Sequence, residues 1–274
     1  MYHGETLSLK NELRRVTHYA QHVDTTNDGE PVYDKSRPLP VVQMTGTVKL
    51  HGTNSSWSLH KDILTPMSRK KILIVGKEDN SGFASFTSEY ETEIKSMLIA
   101  YAAEMNIDTN VNTLVVSGEW AGKGVHKNNS TAIAQLPDKH VFIFAAKSVD
   151  MEGKEVWCEL NNTLSLPQCR VHNIEHFSMY THTIDFNNLD ASKEYLESVV
   201  NEVEQCCPVA DALGVKGIGE GIVWTGYDEK IGKILFKVKG LKHSSSKVKT
   251  VSEHEIQQAE TVNEFAGQVV TVLR

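Results

Sequence analysis

Apolar residues are distributed in two different patterns along the chain. From residue 41 onward, short runs rich in Val, Ile, Phe and Trp are bounded by Gly, Asn, Asp or Pro. This pattern predicts β-strands separated by turns. We predict strands in segments 41–50, 55–60, 71–75, 113–120, 140–149, 220–226 and 233–240.

Four other segments space their apolar residues three and four positions apart, which predicts amphipathic helices. These segments are 7–19, 88–101, 192–207 and 252–273. The second should begin with a capping box formed by Ser88 and Glu91. Strands interrupted by helices, without regular β-α alternation, predict an α+β fold of mainly antiparallel sheets with flanking helices and a C-terminal helical tail.

Composition narrows the class of protein. The chain has 274 residues, a net charge of −7 and 23% charged residues, which excludes a disordered, collagen-like or coiled-coil chain. No apolar run approaches the roughly 20 residues that cross a bilayer, and the N-terminus has no signal-peptide core. We therefore expect a soluble, cytoplasmic, monomeric protein with no membrane partner. The four cysteines form no C-x-x-C pair, which favours reduced thiols.

Five charged residues stand at the ends of predicted strands. Lys49 ends an apolar strand, Glu119 ends another, and Glu220 begins a third. Lys237 and Lys239 are two apart on one strand and so point the same way. Each alone is typical of a solvated surface position. Together they could supply a nucleophile, cations for a phosphate and carboxylates for a divalent metal, the groups that nucleotidyl transfer requires.

The motifs around these residues resemble those of the covalent nucleotidyltransferases, the superfamily of polynucleotide ligases and mRNA capping enzymes. Five motifs follow in family order: Lys49-Leu50-His51-Gly52-Thr53-Asn54, Ser117-Gly118-Glu119-Trp120, Val141-Phe142-Ile143-Phe144, Glu220-Gly221-Ile222-Val223 and Lys237-Val238-Lys239. The His-Gly-x-Asn form of the first motif is similar to the RNA ligase 2 branch, which includes phage-type ATP-dependent RNA ligases.

The resemblance implies a nucleotidyltransferase (adenylation) domain with a covalent mechanism. Lys49 would attack the α-phosphate of ATP, expel pyrophosphate and hold AMP, with Mg²⁺ or Mn²⁺ as the metal cofactor. The AMP would pass to an RNA 5′-phosphate, and an RNA 3′-OH would then displace it to seal the strand.

The resemblance also implies a role for each matching residue. His51 would act near the phosphates, Glu119 would contact the ribose, and Phe144 would stack on adenine. Glu220 would be the metal-associated carboxylate, and Lys237 and Lys239 the cations at the α-phosphate. The remaining nucleotide contacts would come from Leu50, Gly52, Asn54 and Arg69.

The chain departs from the family pattern at three places. Val48 replaces a common Glu before the nucleophile, and Ala145 replaces a common Asp, which weakens the choice of Phe144 over Phe142 as the stacking residue. Only 35 residues follow Lys239. We assign 1–240 to the adenylation domain and 241–274 to a basic linker and helix, which is either the beginning of a truncated RNA-binding domain or the end of a compact form.

Other functions stay open from the residues alone. A DNA ligase or a capping-type guanylyltransferase would share the fold, and a non-catalytic nucleotide-binding module would share the motifs. His172 and His176 match a zinc-protease pattern, H-x-x-E-H. That chemistry needs a helix, whereas the surrounding segment alternates like a strand, so we disfavour it. Basic residues within 61–77 and 230–249 favour a groove that contacts RNA phosphates despite the negative net charge.

Overall fold

A computed structural model describes residues 9–126 and 130–240 of the chain. The helices are α1 (Leu9–Gln21), α2 (Phe83–Glu89), α3 (Glu91–Glu104), α4 (Asp190–Gln205) and α5 (Pro208–Ala212). The strands are β1 (His22–Thr25), β2 (Pro31–Tyr33), β3 (Val41–Lys49), β4 (Thr53–His60), β5 (Ile63–Ser68), β6 (Thr113–Ala121), β7 (His140–Val149), β8 (Glu155–Cys158), β9 (Val171–Asn173), β10 (Met179–Asp185), β11 (Gly221–Asp228) and β12 (Gly232–Lys239).

Two large sheets form the body of the described chain. The first has the strand order β10-β3-β11-β12, and the second has the order β5-β4-β6-β7-β8 with β9 beside β7. Neighbouring strands run antiparallel, apart from β7 and β9, which are parallel. The structure therefore confirms the α+β fold of mainly antiparallel sheets.

Each large sheet buries one face under helices. Helix α4 packs on the first sheet, and α2 and α3 pack on the second. On β3 the side chains of Val42, Met44 and Val48 are buried in the core, whereas those of alternate residues are more exposed. This alternation arises because successive side chains of a strand point to opposite faces. The other faces of the two sheets contribute residues to a common cleft.

Helix α1 covers the free edge of the first sheet. The Glu12 carboxylate, fully buried, accepts hydrogen bonds from Arg15 and from the backbone N–H of Leu235 on β12. Arg15 in turn donates to the backbone carbonyl oxygens of Ile231 and Lys233 at 3.2 and 2.6 Å. An unpaired strand edge invites association with other chains, and these contacts satisfy it within the chain.

Two local predictions were wrong. Segment 71–75 is not a strand: Ile72 makes only an isolated bridge to Met67, and the neighbouring strand is instead Ile63–Ser68. The run hydrogen-bonds to β5 only beside the turn that joins them, through Ser68 N–H to Lys71 and Leu73 N–H to Pro66, and Ile72 is 62% exposed. Ser88 does not cap a helix, because it lies in the last turn of α2, and α3 begins after Tyr90 without a side-chain cap.

The helices predicted at 7–19 and 192–207 are present as α1 and α4, whereas α2 and α5 were not predicted. Helix α1 extends to Gln21, two residues further than predicted, and α4 begins at Asp190, two residues earlier. The predicted C-terminal helix and the 241–274 segment lie outside the described residues, so the domain division stays a prediction. Within the part of the chain that the structure describes, no helix is both long enough and apolar enough to span a membrane.

Candidate active site

The strand register places the predicted lysines side by side. Lys49 at the end of β3 lies opposite Gly221 on β11, and Gly221 lies opposite Lys239 on β12. Gly221 has φ +148°, and a Cβ there would lie 2.1 Å from the Val238 carbonyl oxygen. Only glycine fits this position, so no side chain separates the two lysines.

Glu220 lies at the centre of this group of cations. Its carboxylate accepts a short hydrogen bond from Lys49 Nζ and pairs with Lys239 Nζ at 2.8 Å. His51 Nδ1 lies 3.7 Å from the same carboxylate. The Glu220 side chain is only 5% exposed, so these ion pairs are poorly screened by solvent.

The electrostatic balance at Glu220 favours the ionised carboxylate. Burial alone would raise the pKa of Glu220, but the nearby His51 and the charges of Lys49 and Lys239 outweigh it, and the pKa lies well below its ordinary value. Lys237, two register positions from Lys239 on β12, has a pKa below its ordinary value because of burial and the nearby charge of Lys49. The site therefore concentrates positive charge around one fixed carboxylate.

The second sheet supplies the opposite side of the cleft. Asn54 on β4, Glu119 on β6 and Phe142 on β7 lie in one register row. Glu119 Oε1 accepts a hydrogen bond of 2.9 Å from the backbone N–H of Gly52, in the link between β3 and β4. A Cβ on Gly52 would lie 2.3 Å from the Trp120 carbonyl oxygen, so the link packs too closely for another residue.

Glu119 is the carboxyl group of the site with the higher pKa. Burial raises its pKa to about 7, although the charge of Lys49 and the hydrogen bond from Gly52 lower it, and the charge of Glu220 acts in the same direction as burial. The two predicted carboxyl groups thus differ in charge state near pH 7. Glu220 is an anion over the whole neutral range, whereas Glu119 titrates near neutrality.

A cleft of about 810 Å³ connects these walls. It is lined by eight of the eleven predicted site residues: Lys49, Leu50, Gly52, Asn54, Arg69, Glu119, Phe144 and Lys237. Glu220, His51 and Lys239 are not among the lining residues, but Glu220 contacts Lys49, His51 and Lys239. The fold therefore brings together all the residues that the sequence selected.

The two candidate aromatic residues of β7 differ in accessibility. Phe142 is fully buried and stacks on His140 and His172. Phe144 occupies an irregularity between β6 and β7, since Ser117 pairs with Ala145 and Gly118 pairs with Ile143. The bulge leaves the Phe144 ring 39% exposed in the cleft. Phe144 is thus the more accessible aromatic surface.

Sequence reasoning missed His126, which contacts the first motif. His126 Nε2 lies 2.5 Å from the Gly52 carbonyl oxygen, and its ring lies 4.6 Å from the ring of His51. No spacing pattern points to this residue, because it lies 74 positions from Gly52 along the chain.

A second missed group lies further along the cleft. Trp157 on β8 is 47% exposed, and Lys233 Nζ lies 4.3 Å from the centre of its ring. Lys147, paired with Glu155 at 2.5 Å, lies 5.6 Å from the same ring. Burial lowers the pKa of Lys233. These residues line the cleft together with the predicted site residues.

The histidines of the H-x-x-E-H pattern have separate environments. His172 is buried and hydrogen-bonds to His140 at 2.9 Å, whereas His176 bonds to Asn162 at 3.0 Å. His172 lies on β9, whereas His176 lies in the short 3-10 turn Ile174–His176 that follows it. Among residues 9–126 and 130–240, no three His, Cys, Asp or Glu side chains are grouped as metal ligands.

Comparison with known proteins defines the class. The sequence model of the RNA ligase family matches residues 42–239, which is most of the chain and includes the five motifs. The chain therefore belongs to the RNA ligase family. The comparison with curated proteins gives no match.

Solved structures with a similar fold include several of Naegleria gruberi RNA ligase. The structure with PPi is 13% identical, with a TM-score of 0.47, and covers 88% of this chain and 56% of that chain. A mutant with ATP and Mn is 13% identical, with a TM-score of 0.49, and covers 89% and 57%. A mutant with AMP and Mn is 13% identical, with a TM-score of 0.46, and covers 86% and 55%. The chain thus spans about half the length of these solved relatives.

Proposed function

We propose that this protein is an ATP-dependent RNA ligase that works through a covalent lysyl-AMP intermediate on Lys49. The observation that carries the proposal is the cleft in which Lys49, Lys237 and Glu119 meet, within a chain that belongs to the RNA ligase family. In the first step, Lys49 Nζ forms a bond to the α-phosphorus of ATP, and the bond from that phosphorus to the pyrophosphate oxygen breaks.

The ion pair between Lys49 and Glu220 defines the resting state of the nucleophile. An ammonium cannot attack phosphorus, so Lys49 must lose a proton before the bond forms. Glu220 holds the side chain in place through this ion pair. Lys237 and Lys239 would stabilise the negative charge that develops on the phosphate in the transition state.

We assign a divalent cation, Mg²⁺ or Mn²⁺, to Glu220. Mg²⁺ is usually held by one or two carboxylates together with substrate phosphates, and the Glu220 carboxylate fits that pattern. When bound, the ion would neutralise phosphate charge and polarise the phosphoryl oxygens. Glu220 would then hold the ion in place of its ion pair with Lys49.

The nucleoside would occupy the cleft beyond the lysines. The exposed ring of Phe144 would stack on the adenine, and Glu119 would contact the ribose. Leu50, Gly52, Asn54 and Arg69 line the same cleft and would complete the nucleotide contacts. The Glu119 carboxyl could donate or accept a hydrogen bond near neutral pH because its pKa is about 7.

We infer that the acceptor is RNA with a 5′-phosphate and a 3′-OH. AMP would leave Lys49 for the 5′-phosphate, and the 3′-OH would then form the phosphodiester bond and release AMP. The basic residues Arg69, Lys70 and Lys71 at the cleft would attract RNA phosphates. Affinity for RNA should therefore fall steeply as salt rises, because phosphate contacts release counterions. A flat salt dependence would contradict these contacts.

The first step is tested by labelling the protein with α-³²P-ATP or α-³²P-GTP and Mg²⁺, followed by denaturing electrophoresis. We expect label from ATP, none from GTP, and none in Lys49→Ala. Lys154→Ala, in the exposed turn after β7, is the matched control and should label normally. Label from GTP would instead favour a capping-type guanylyltransferase, and the absence of any label would favour a nucleotide-binding module.

The acceptor is tested with nicked and single-stranded RNA and DNA ends supplied to the labelled protein. We expect AMP to transfer to RNA 5′-phosphates and the strands to be joined. Joining of DNA ends with no joining of RNA ends would identify a DNA ligase and refute the RNA assignment.

A further inference from the structure

His126 contacts the first motif from outside all five sequence motifs. Its Nε2 lies 2.5 Å from the carbonyl oxygen of Gly52, and its ring packs against His51 at 4.6 Å with an interplanar angle of 36°. A carbonyl oxygen can only accept, so the Nε2 atom carries the proton in this contact. His126 therefore donates to the short link that joins β3 to β4.

That link is held from two directions. The N–H of Gly52 donates to Glu119 at 2.9 Å, and its carbonyl oxygen accepts from His126. Gly52 packs against the backbone of Trp120 so closely that no side chain would fit. Both polar groups of this residue are thus fixed by side chains of the segment 119–126.

Backbone contacts also fix the segment that precedes His126. It follows a turn that begins at Gly122, where φ is +133° and a Cβ would lie 2.3 Å from the Asp138 carbonyl oxygen. The backbone N–H of Lys123 donates to Leu136 at 3.0 Å, and the N–H of Val125 donates to Gly122 at 3.2 Å. These contacts fix the backbone position from which the His126 side chain extends.

The consequence concerns His51. The His51 ring lies between two neighbours, the His126 ring on one side and the Glu220 carboxylate at 3.7 Å on another. Without His126, one side of the His51 ring would be free, and the carbonyl group of Gly52 would lose its side-chain donor. His51 is separated from the proposed nucleophile, Lys49, by a single residue, Leu50.

We propose that His126 is a positioning residue that holds the Leu50–Gly52 link and the His51 ring in the geometry required for transfer of AMP to Lys49. The inference rests on the proposed function. It assigns His126 two separable actions: a hydrogen bond from Nε2 to the Gly52 carbonyl oxygen, and packing of its ring on His51.

Three substitutions separate these actions. His126→Gln keeps a side-chain N–H donor near the Nε2 position and removes the ring. His126→Phe keeps a ring and removes the donor, and His126→Ala removes both. His182→Ala is the matched control, because His182 also hydrogen-bonds through Nε2, to Ser192 at 3.0 Å, and stacks on Tyr195, but lies outside the cleft.

The measurement is the single-turnover rate of labelled AMP transfer to the protein at saturating ATP, together with the ATP concentration that gives half the maximal rate. Loss of one neutral hydrogen bond corresponds to a five- to tenfold effect. We expect a decrease of about that size in His126→Phe, a larger one in His126→Ala, and a rate within about threefold of wild type in His126→Gln. The half-saturating ATP concentration should change less than the rate, and His182→Ala should match wild type.

Two results would overturn the inference, and neither coincides with failure of the proposed function. If wild type forms the adduct and both His126→Phe and His126→Ala form it at the wild-type rate, His126 does not position the link. If His126→Gln is as slow as His126→Ala while both melt at the wild-type temperature, the hydrogen-bond action assigned to His126 is refuted. If His126→Ala does not fold, the rates of His126→Gln and His126→Phe, each compared with wild type, decide whether His126 positions the link. A wild-type protein that forms no adduct would refute the proposed function instead.

Discussion

Replacing Glu220 by Gln should destabilise the folded protein by removing the one anion between Lys49 and Lys239. The glutamine keeps the shape of the side chain but cannot neutralise two ammonium groups. Breaking a buried ion pair by removing one partner costs about 3 to 5 kcal/mol. The side chains of Lys49 and Lys239 are 14% and 34% exposed, so solvent compensates part of that cost.

We therefore expect Glu220→Gln to lower the free energy of unfolding by about 2 to 3 kcal/mol at pH 7. For a domain of this size, that corresponds to a decrease in Tm of roughly 4 to 12 °C. The assay is urea denaturation followed by circular dichroism. Glu78→Gln is the control, because its pair with Lys71 is largely exposed and should contribute at most about 1 kcal/mol.

The difference between wild type and Glu220→Gln should also depend on pH. The pKa of Glu220 in the folded protein lies below its ordinary value of 4.5, so its contribution is fully present above pH 4.5 and decreases as the pH falls further. A variant as stable as wild type at pH 7, or a difference that does not narrow below pH 4.5, would refute the reasoning. Equal effects of Glu220→Gln and Glu78→Gln would refute it as well.

Three further predictions concern the fold and the link. Glu12→Gln should lose about 2 kcal/mol of unfolding free energy in urea, because the fully buried carboxylate accepts from Arg15 and from β12; an unchanged midpoint would contradict this. Burial lowers the pKa of His172 to about 4, so wild type should lose roughly 2 kcal/mol relative to His172→Gln as the pH falls from 6.5 to 4, and a constant difference would contradict this. Gly52→Ala should reduce AMP transfer to the protein at least tenfold, and normal labelling would show that the link tolerates a Cβ.

The site residues that the sequence predicts are those whose flanking residues form a recognisable strand pattern or motif. Strands such as β3, β6 and β12 alternate or run apolar over eight or more residues, and their ends carry Lys49, Glu119 and Lys239. The register between these strands was not predictable, yet it is what places Lys49 beside Lys239. The need for glycine at 221 is likewise visible only in the structure, where a Cβ would lie 2.1 Å from the Val238 carbonyl oxygen.

Other features depend on contacts between distant segments. The bulge that exposes Phe144 arises from the pairing of β6 with β7, so the choice between Phe144 and Phe142 stayed open in the sequence. Segment 71–75 has strand composition but pairs with β5 only at an isolated bridge, and composition does not show how far a pairing extends. His126 lies in a polar turn and meets Gly52 only in the folded chain.

Intact mass spectrometry can detect the proposed lysyl-AMP intermediate without any label. After incubation with ATP and Mg²⁺, we expect the protein to gain the mass of one AMP moiety and peptide mapping to place that moiety on Lys49. Addition of pyrophosphate should remove the adduct and regenerate ATP. An unmodified protein under these conditions, or an AMP moiety on any residue other than Lys49, would contradict the account.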